Sequence, residues 1–206
     1  MRDALLGAIM IYAASSAAAE TYETAAYKVL ESANDIEVRE YPDLALAVTT
    51  GKIDAQGRDG SFMRLFGYIS GANEDQQKIA MTTPVFMEGG GEARGMEMGF
   101  VMPKETVAQG LPAPTGKDVK LHTRRGGRFA VIRFAGRLDW KLATKSERQL
   151  REWMRERGLD GEAGFEAAGY DPPFTPAKLR RNEVLIRIKE SSPQTDSISH
   201  DVGTAP

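Results

Sequence analysis

The same order of predicted elements occurs twice along this chain, and the repetition limits the fold more than any other feature. Alternating apolar residues predict strands, and an i, i+3, i+4, i+7 pattern predicts one helix in each half. In the first half the order is strand, strand, helix, strand, strand, at residues 36–41, 44–50, 61–70, 79–87 and 96–102. In the second half the same order is predicted at residues 119–124, 128–136, 140–157, 165–170 and 183–188.

Each half begins with a predicted hairpin, and each is too small to bury much apolar surface alone. Residues 104–118 join the halves and contain Pro112 and Pro114, which are typical of a connecting loop. We therefore predict a single α+β domain. Its two pseudo-repeated halves share one distorted antiparallel β-barrel, flanked by two α-helices.

The first predicted helix is apolar over more of its circumference than contact with one sheet requires. Phe62, Leu65, Phe66 and Ile69 form one stripe at helical spacing, and Met63 flanks that stripe. The surplus apolar surface makes this helix a candidate wall for a hydrophobic ligand.

A proline corner near the end of the chain predicts the closing seam of the sheet. Asp171-Pro172-Pro173 must leave the sheet, because proline donates no backbone N–H. Residues 180–188 then re-enter as a strand, with Val184, Ile186 and Ile188 on one face.

This corner and three earlier segments together resemble the SOUL haem-binding family. Ala168-Gly169-Tyr170-Asp171-Pro172-Pro173 with Arg181-Asn182-Glu183-Val184 is similar to the family's C-terminal signature. The segments similar to other family signatures are Ile36-Glu37-Val38-Arg39-Glu40-Tyr41, Tyr68-Ile69-Ser70-Gly71-Ala72-Asn73 and Lys78-Ile79-Ala80-Met81-Thr82-Thr83-Pro84-Val85. The resemblance covers roughly residues 27–189, and it implies the same barrel architecture.

The resemblance also implies a ligand, because some members of the family are thought to hold haem in a shallow groove beside the first helix. At the matching positions the groove is lined by Phe62, Phe66 and Met63. One member offers a histidine after the arginine of the first-strand motif, where this chain has Glu40. We therefore expect non-covalent haem binding without a strong axial ligand at residue 40.

Few residues suit metal ligation or catalysis. The chain has no cysteine and two histidines, and of these His122 lies on a predicted strand and is a candidate axial ligand. Arg180 and Arg181 are candidates to hold a ligand carboxylate, as is the pair Arg124-Arg125, although turn charge exposed to water is the simpler explanation. The methionines form a conceivable thioether site, but packing explains them more simply. No nucleophile elbow, zinc helix or phosphate loop is present.

The N-terminus predicts export. Arg2 precedes an apolar run at residues 4–14 that is too short to span a bilayer, and Ala17-Ala18-Ala19 matches a cleavage site. We predict a signal peptide over residues 1–19, a domain over residues 20–190 and a disordered tail over residues 191–206. The mature protein is then periplasmic or secreted, with no stable membrane insertion.

These observations favour a binding protein over an enzyme. We predict a carrier or buffer for haem or another tetrapyrrole, with Phe62, Met63, Phe66, His122, Arg180 and Arg181 as its site. A binding module for another hydrophobic small molecule and, less favoured, a hydrolase that uses a carboxylate such as Glu40 or Glu183 remain as alternatives. The net charge of −2 gives no attraction to nucleic acid.

Overall fold

A computed structural model describes residues 22–51, 60–89 and 95–190, which contain eleven strands and three α-helices. The helices are α1 (Ser61–Ile69), α2 (Lys104–Gln109) and α3 (Trp140–Glu156). The strands are β1 (Glu23–Thr24), β2 (Lys28–Ala33), β3 (Ile36–Tyr41), β4 (Leu44–Gly51), β5 (Thr82–Thr83), β6 (Val85–Glu88), β7 (Met96–Val101), β8 (Lys120–Arg124), β9 (Gly127–Phe134), β10 (Glu166–Gly169) and β11 (Asn182–Arg187). Within these residues, none of the helices is long and apolar enough to cross a membrane.

Nine strands form one antiparallel sheet in the order β2-β3-β9-β11-β10-β6-β7-β4-β8. The order is symmetric about the β10–β6 pair, with β2 added at one edge. Strands β11, β9 and β3 on one side correspond to β7, β4 and β8 on the other. The pseudo-repetition predicted from the sequence is therefore present in the strand order.

The predicted barrel is wrong, because the sheet is curled but open. Its edge strands are β2 and β8, and no hydrogen-bonded ladder joins them within the described residues. The predicted hairpins are also wrong. Strand β3 pairs with β9, and β4 pairs with β8, so the first two strands of each half run along those of the other half.

This exchange of strands requires two chain corners to touch. Tyr41 lies opposite Gly127 and Leu44 lies opposite Arg124, so the corners at residues 42–43 and 125–126 lie side by side. A Cβ atom on Gly126 would lie 2.5 Å from the carbonyl oxygen of Tyr41. The Gly126 amide donates to Asp43 Oδ1 at 2.7 Å. Sequence patterns predict where strands occur in the chain, but they do not predict which strands pair.

Three further differences concern local structure. A third helix, α2, occupies the start of the segment predicted to be a loop. The strand predicted over residues 79–87 is divided by Pro84 into β5 and β6, because proline donates no ladder hydrogen bond. The predicted signal peptide (1–19) and disordered tail (191–206) lie outside the described residues.

The sheet separates two cores. On one face, α3 packs over β9 and β11 and α1 packs over β4 and β7. On the other face, side chains from both halves pack against one another inside the curl, with Phe86, Phe129 and Leu185 among them. We call these the helix face and the inner face. Any ligand site must lie on one of them or at an edge.

Candidate ligand groove

A groove on the helix face lies over the β6–β10 pair, between α1 and the segment that leads into α3. Its cavity volume is about 760 Å³, within the roughly 300–1,000 Å³ typical of small-molecule sites. The loop at residues 171–181 forms another wall. The lining residues are Phe62, Val85, Met87, Met98, Arg137, Leu138, Gly169, Asp171, Pro173, Ala177, Arg180 and Asn182.

Helix α1 holds its aromatic residues at the groove because its opposite side is anchored. Leu65, Tyr68 and Ile69 are buried against the sheet, and the Tyr68 hydroxyl donates to the carbonyl of Pro112 at 2.9 Å. Phe62 lines the groove and packs edge-on against Phe100, with ring centroids 5.2 Å apart. The helix therefore presents apolar surface without giving up its contact with the sheet.

The three aromatic and methionine residues predicted on α1 are all exposed, but only Phe62 lines the groove. Phe66 stacks beside Phe62 with centroids 6.2 Å apart and extends the apolar surface away from the cavity. Met63 is 65% exposed and is not among the lining residues.

Two methionines line the groove side by side. Met87 on β6 lies directly opposite Met98 on β7, and both belong to the groove lining. Met102 lies on the same face of the sheet but is buried beneath α1, away from the groove. Thioether side chains adapt to flat or irregular ligands and can also ligate haem iron.

The groove contains two arginines with different surroundings. Arg180 Nε donates to the carbonyl of Thr175 at 2.8 Å, and its Nη2 donates to the carbonyl of Pro173, so this side chain holds the 171–181 loop. Arg137 is exposed, and it makes no ion pair within the described part of the chain. Arg137 is therefore the cation available to an anionic group on a ligand.

Arg181 belongs to a different site, a buried charge network on the inner face. Its Nη2 donates to Glu183 Oε1 at 2.6 Å, and its guanidinium lies 3.8 Å from the centre of the Tyr170 ring. Glu183 is fully buried and accepts two further hydrogen bonds from Arg39, at 2.8 and 3.0 Å, and one from Tyr170 at 2.8 Å. The C-terminal and first-strand motifs therefore meet in this network.

The network fixes the protonation of its members. Burial alone would raise the pKa of Glu183, but the hydrogen bonds and charges of Arg39 and Arg181 outweigh it and lower the pKa. Burial, and then the charge of Glu183, raise the pKa of Tyr170. Burial raises the pKa of Tyr41 to about 12. Glu183 is therefore ionised and both tyrosines are neutral at pH 7.

His122 lies on the inner face, in a cavity on the opposite side of the sheet from the groove. The cavity has a volume of about 250 Å³ and is also lined by Glu88, Arg124 and Glu166. Glu166 accepts two hydrogen bonds from Arg124 Nε and one from Nη2, at 2.6 to 3.1 Å. Arg124 Nη1 has no hydrogen-bond partner within the described residues, but the guanidinium lies 4.3 Å from the centre of the Phe129 ring.

Glu88 faces two other carboxyl groups across neighbouring strands. It lies opposite Glu166 on β10 and opposite Glu97 on β7. Its side chain keeps contact with solvent, yet partial burial raises the pKa of Glu88, and Glu166 and Glu97 raise it further. The charges of Arg124 and His122 oppose this shift.

Glu40 is exposed on β3 beside Lys28, outside the groove. A group bound in the groove cannot be ligated from this position, whatever residue stands there. The absence of an axial histidine at residue 40 therefore has no bearing on binding in the groove.

A match to a family model identifies the family to which this chain belongs. Residues 22–187 match the model described as SOUL heme-binding protein. The chain belongs to the SOUL haem-binding family. It is 30% identical over 201 residues to human heme-binding protein 2, covering 90% of this chain and 95% of the human protein. It is 27% identical over 145 residues to mouse heme-binding protein 1, covering 68% of this chain and 75% of the mouse protein.

Solved structures share the fold of this SOUL family member at low sequence identity. A crystal structure described as a hydrolase from Listeria innocua matches with a TM-score of 0.55 and 11% identity, over 78% of this chain and 94% of the other. The EcmrR C-terminal domain matches with a TM-score of 0.52 and 12% identity, over 80% and 99%. At these identities the likeness concerns the fold alone.

The sequence analysis named residues on two walls of the groove, Phe62 on α1 and Arg180 in the 171–181 loop, and missed the third. Arg137 and Leu138 lie between β9 and α3, where no pattern marks a site. The pseudo-repetition was the signal that could have located this wall. Equivalent helices on one face of a symmetric sheet leave a space between them, and the segment that leads into the second helix borders that space.

Proposed function

We propose that this protein binds haem or another tetrapyrrole non-covalently in the groove over the β6–β10 pair. The observation that carries the proposal is an apolar groove beside Arg137, a cation with no ion pair among the described residues, in a chain of the SOUL haem-binding family. A tetrapyrrole with propionate groups combines a flat apolar body with anionic ends. The groove offers apolar side chains for the body and Arg137 for a propionate.

The residues of the groove fit such a ligand in three ways. Phe62, Val85 and Leu138 supply apolar contact, and burial of apolar surface contributes roughly 25 cal/mol per Å² before ordering costs are subtracted. Arg137 is placed to bind a propionate, while Arg180 holds the wall. Met87 and Met98 supply the thioether sulfurs of the groove. Bound haem would supply a visible chromophore and a redox-active iron.

Binding without catalysis is the activity that we propose. Glu183, the most deeply buried carboxylate proposed for a hydrolase, already accepts hydrogen bonds from Arg39, Arg181 and Tyr170. A base with its oxygens occupied by two arginines is poorly suited to accept a proton from substrate. We further propose that the protein is an exported carrier or buffer, on the strength of its N-terminal sequence.

A haem titration tests the proposal. We expect a saturable Soret change with wild-type protein, and its loss in Phe62→Asp, because a carboxylate in the groove must be desolvated when the macrocycle binds. Arg137→Ala should weaken binding by roughly two- to fivefold, the contribution of a solvent-exposed ion pair.

Val107→Asp is the matched control, because Val107 on α2 is 43% exposed and Phe62 is 42% exposed. The control should bind haem as the wild type does. If Phe62→Asp does not fold by circular dichroism, Arg137→Ala still tests the groove. A wild-type protein with no saturable change at micromolar haem would contradict the proposal and favour another hydrophobic ligand.

A further inference from the structure

Helix α3 carries a row of cations that the proposed groove does not explain. Lys141, Lys145 and Arg148 recur at i, i+4 and i+7, so they lie on one side of the helix. Together with Arg137 they line a surface trough of about 640 Å³, which also contains Asp139, Leu142 and Gln149. The trough joins the groove because Arg137 lines both.

The row differs from the other charges of α3. Arg151 pairs with Glu147, Arg155 with Glu152, and Arg157 just past the helix with Glu31. By contrast, Lys141, Lys145 and Arg148 are exposed and make no ion pair within the described residues. Asp139 is the acidic residue of the trough, and its Oδ1 already accepts from the Leu142 amide at 2.8 Å.

Such a row lowers the stability of the helix, because like charges at i, i+4 repel one another. The chain has a net charge of −2, so the row is a local concentration of positive charge and not a reflection of composition. An anionic partner outside the chain would remove the repulsion.

The 171–181 loop of the groove exposes two large apolar side chains among charged ones. The 171–181 loop forms a wall of the groove and carries Phe174, which is 84% exposed, and Leu179, which is 73% exposed. Lys178 is exposed between them. Exposed aromatic and aliphatic side chains beside basic residues are the combination that binds the interface of an anionic membrane. An acidic protein surface would account for the cations but not for the adjacent apolar side chains.

We propose that the trough and the 171–181 loop dock on an anionic lipid surface, with Lys141, Lys145 and Arg148 contacting headgroups and Phe174 and Leu179 entering the interface. The groove then opens toward the lipid. The purpose of docking rests on the proposed function, since a hydrophobic ligand could pass between bilayer and groove without crossing water. The docking itself does not need a ligand and is measured on haem-free protein.

Vesicle sedimentation tests the proposal on the full chain. We expect binding to vesicles that contain phosphatidylglycerol, with much weaker binding to pure phosphatidylcholine and release by salt. The variant Lys141→Ala/Lys145→Ala/Arg148→Ala should lower the partition coefficient roughly a hundredfold, because each cation near an anionic surface contributes about fivefold. Phe174→Ser/Leu179→Ser should also lower it.

The matched control is Lys28→Ala/Lys117→Ala/Lys120→Ala, which removes the same charge from exposed positions outside the trough. The control should bind as the wild type does. Equal losses in both triple variants would overturn the proposal, as would binding to poly-glutamate but not to vesicles. Haem titration of the α3 triple variant without vesicles should be unchanged, so failure of docking and failure of the groove are distinguishable.

Discussion

Glu183→Gln is expected to destabilise the protein by about 3 kcal/mol, the lower end for a broken buried ion pair, because Arg39 loses its buried partner and keeps only the partly exposed Glu37. Arg39 is 3% exposed and Glu183 is fully buried, and they make two hydrogen bonds to each other. Urea unfolding followed by circular dichroism measures the loss. It is a large share of the roughly 5–15 kcal/mol by which domains are usually stable.

Two further variants test whether the loss of stability comes from the unpaired buried charge. Arg39→Met/Glu183→Gln should be less destabilised than the sum of the single variants, because the charges left unpaired, on Glu37 and Arg181, are partly exposed and no fully buried charge is left alone. Glu152→Gln removes a carboxylate from an exposed pair and should change the free energy of unfolding by less than about 0.5 kcal/mol. If Glu183→Gln and Glu152→Gln lowered the free energy of unfolding equally, burial of the ion pair would not explain its contribution to stability.

The same network predicts how stability depends on pH. Because the pKa of Glu183 is lowered in the folded state, the unfolded chain takes up this proton at a higher pH than the folded chain does. The stabilisation is therefore fully present above the ordinary pKa of 4.5 and is lost as the pH falls below it. Wild type should lose stability in this range more steeply than Glu183→Gln. Parallel curves would contradict the prediction.

Leu65→Ala and Leu150→Ala are each expected to cost about 2–5 kcal/mol, because both side chains are fully buried beneath a helix. Their effects on haem should differ. Leu65 anchors α1, which carries Phe62, whereas Leu150 anchors α3 away from the groove. Haem titration under conditions where both variants remain folded should show weaker binding for Leu65→Ala alone.

Gln149→Ala, at an exposed position of α3, is the control for stability and should change little. Equal haem affinities for the two leucine variants would show that α1 does not position the groove wall.

Local patterns were sufficient to predict most elements. The alternation at residues 36–41 predicted β3 with both ends correct, and the helical stripe from Phe62 to Ile69 predicted α1. These predictions succeed because burial on one face imposes a period on the sequence. The helix α2 was missed because six residues are too few to show such a period.

The structure was needed to show which strands pair and which residues share a site. Adjacent predicted strands with a short turn favour a hairpin, and nothing local shows that β3 runs along β9 instead. The same limit applies to the site. Phe62 and Arg180 both line the groove, whereas Arg181 and His122 lie on the inner face. Successive residues of an extended segment point to opposite sides, which separates Arg181 from its neighbour Arg180.

The symmetric sheet carries two helices with opposite surface chemistry. Equivalent positions hold α1, which exposes Phe62, Met63 and Phe66, and α3, which exposes Lys141, Lys145 and Arg148. The helix face is therefore apolar on the α1 side of the β6–β10 pair and positively charged on the α3 side. A ligand in the groove would therefore lie with its apolar body toward Phe62 and its acidic groups toward Arg137, on the α3 side. Under the proposed function, the two unlike sides of the duplicated sheet would fix the orientation of the bound ligand.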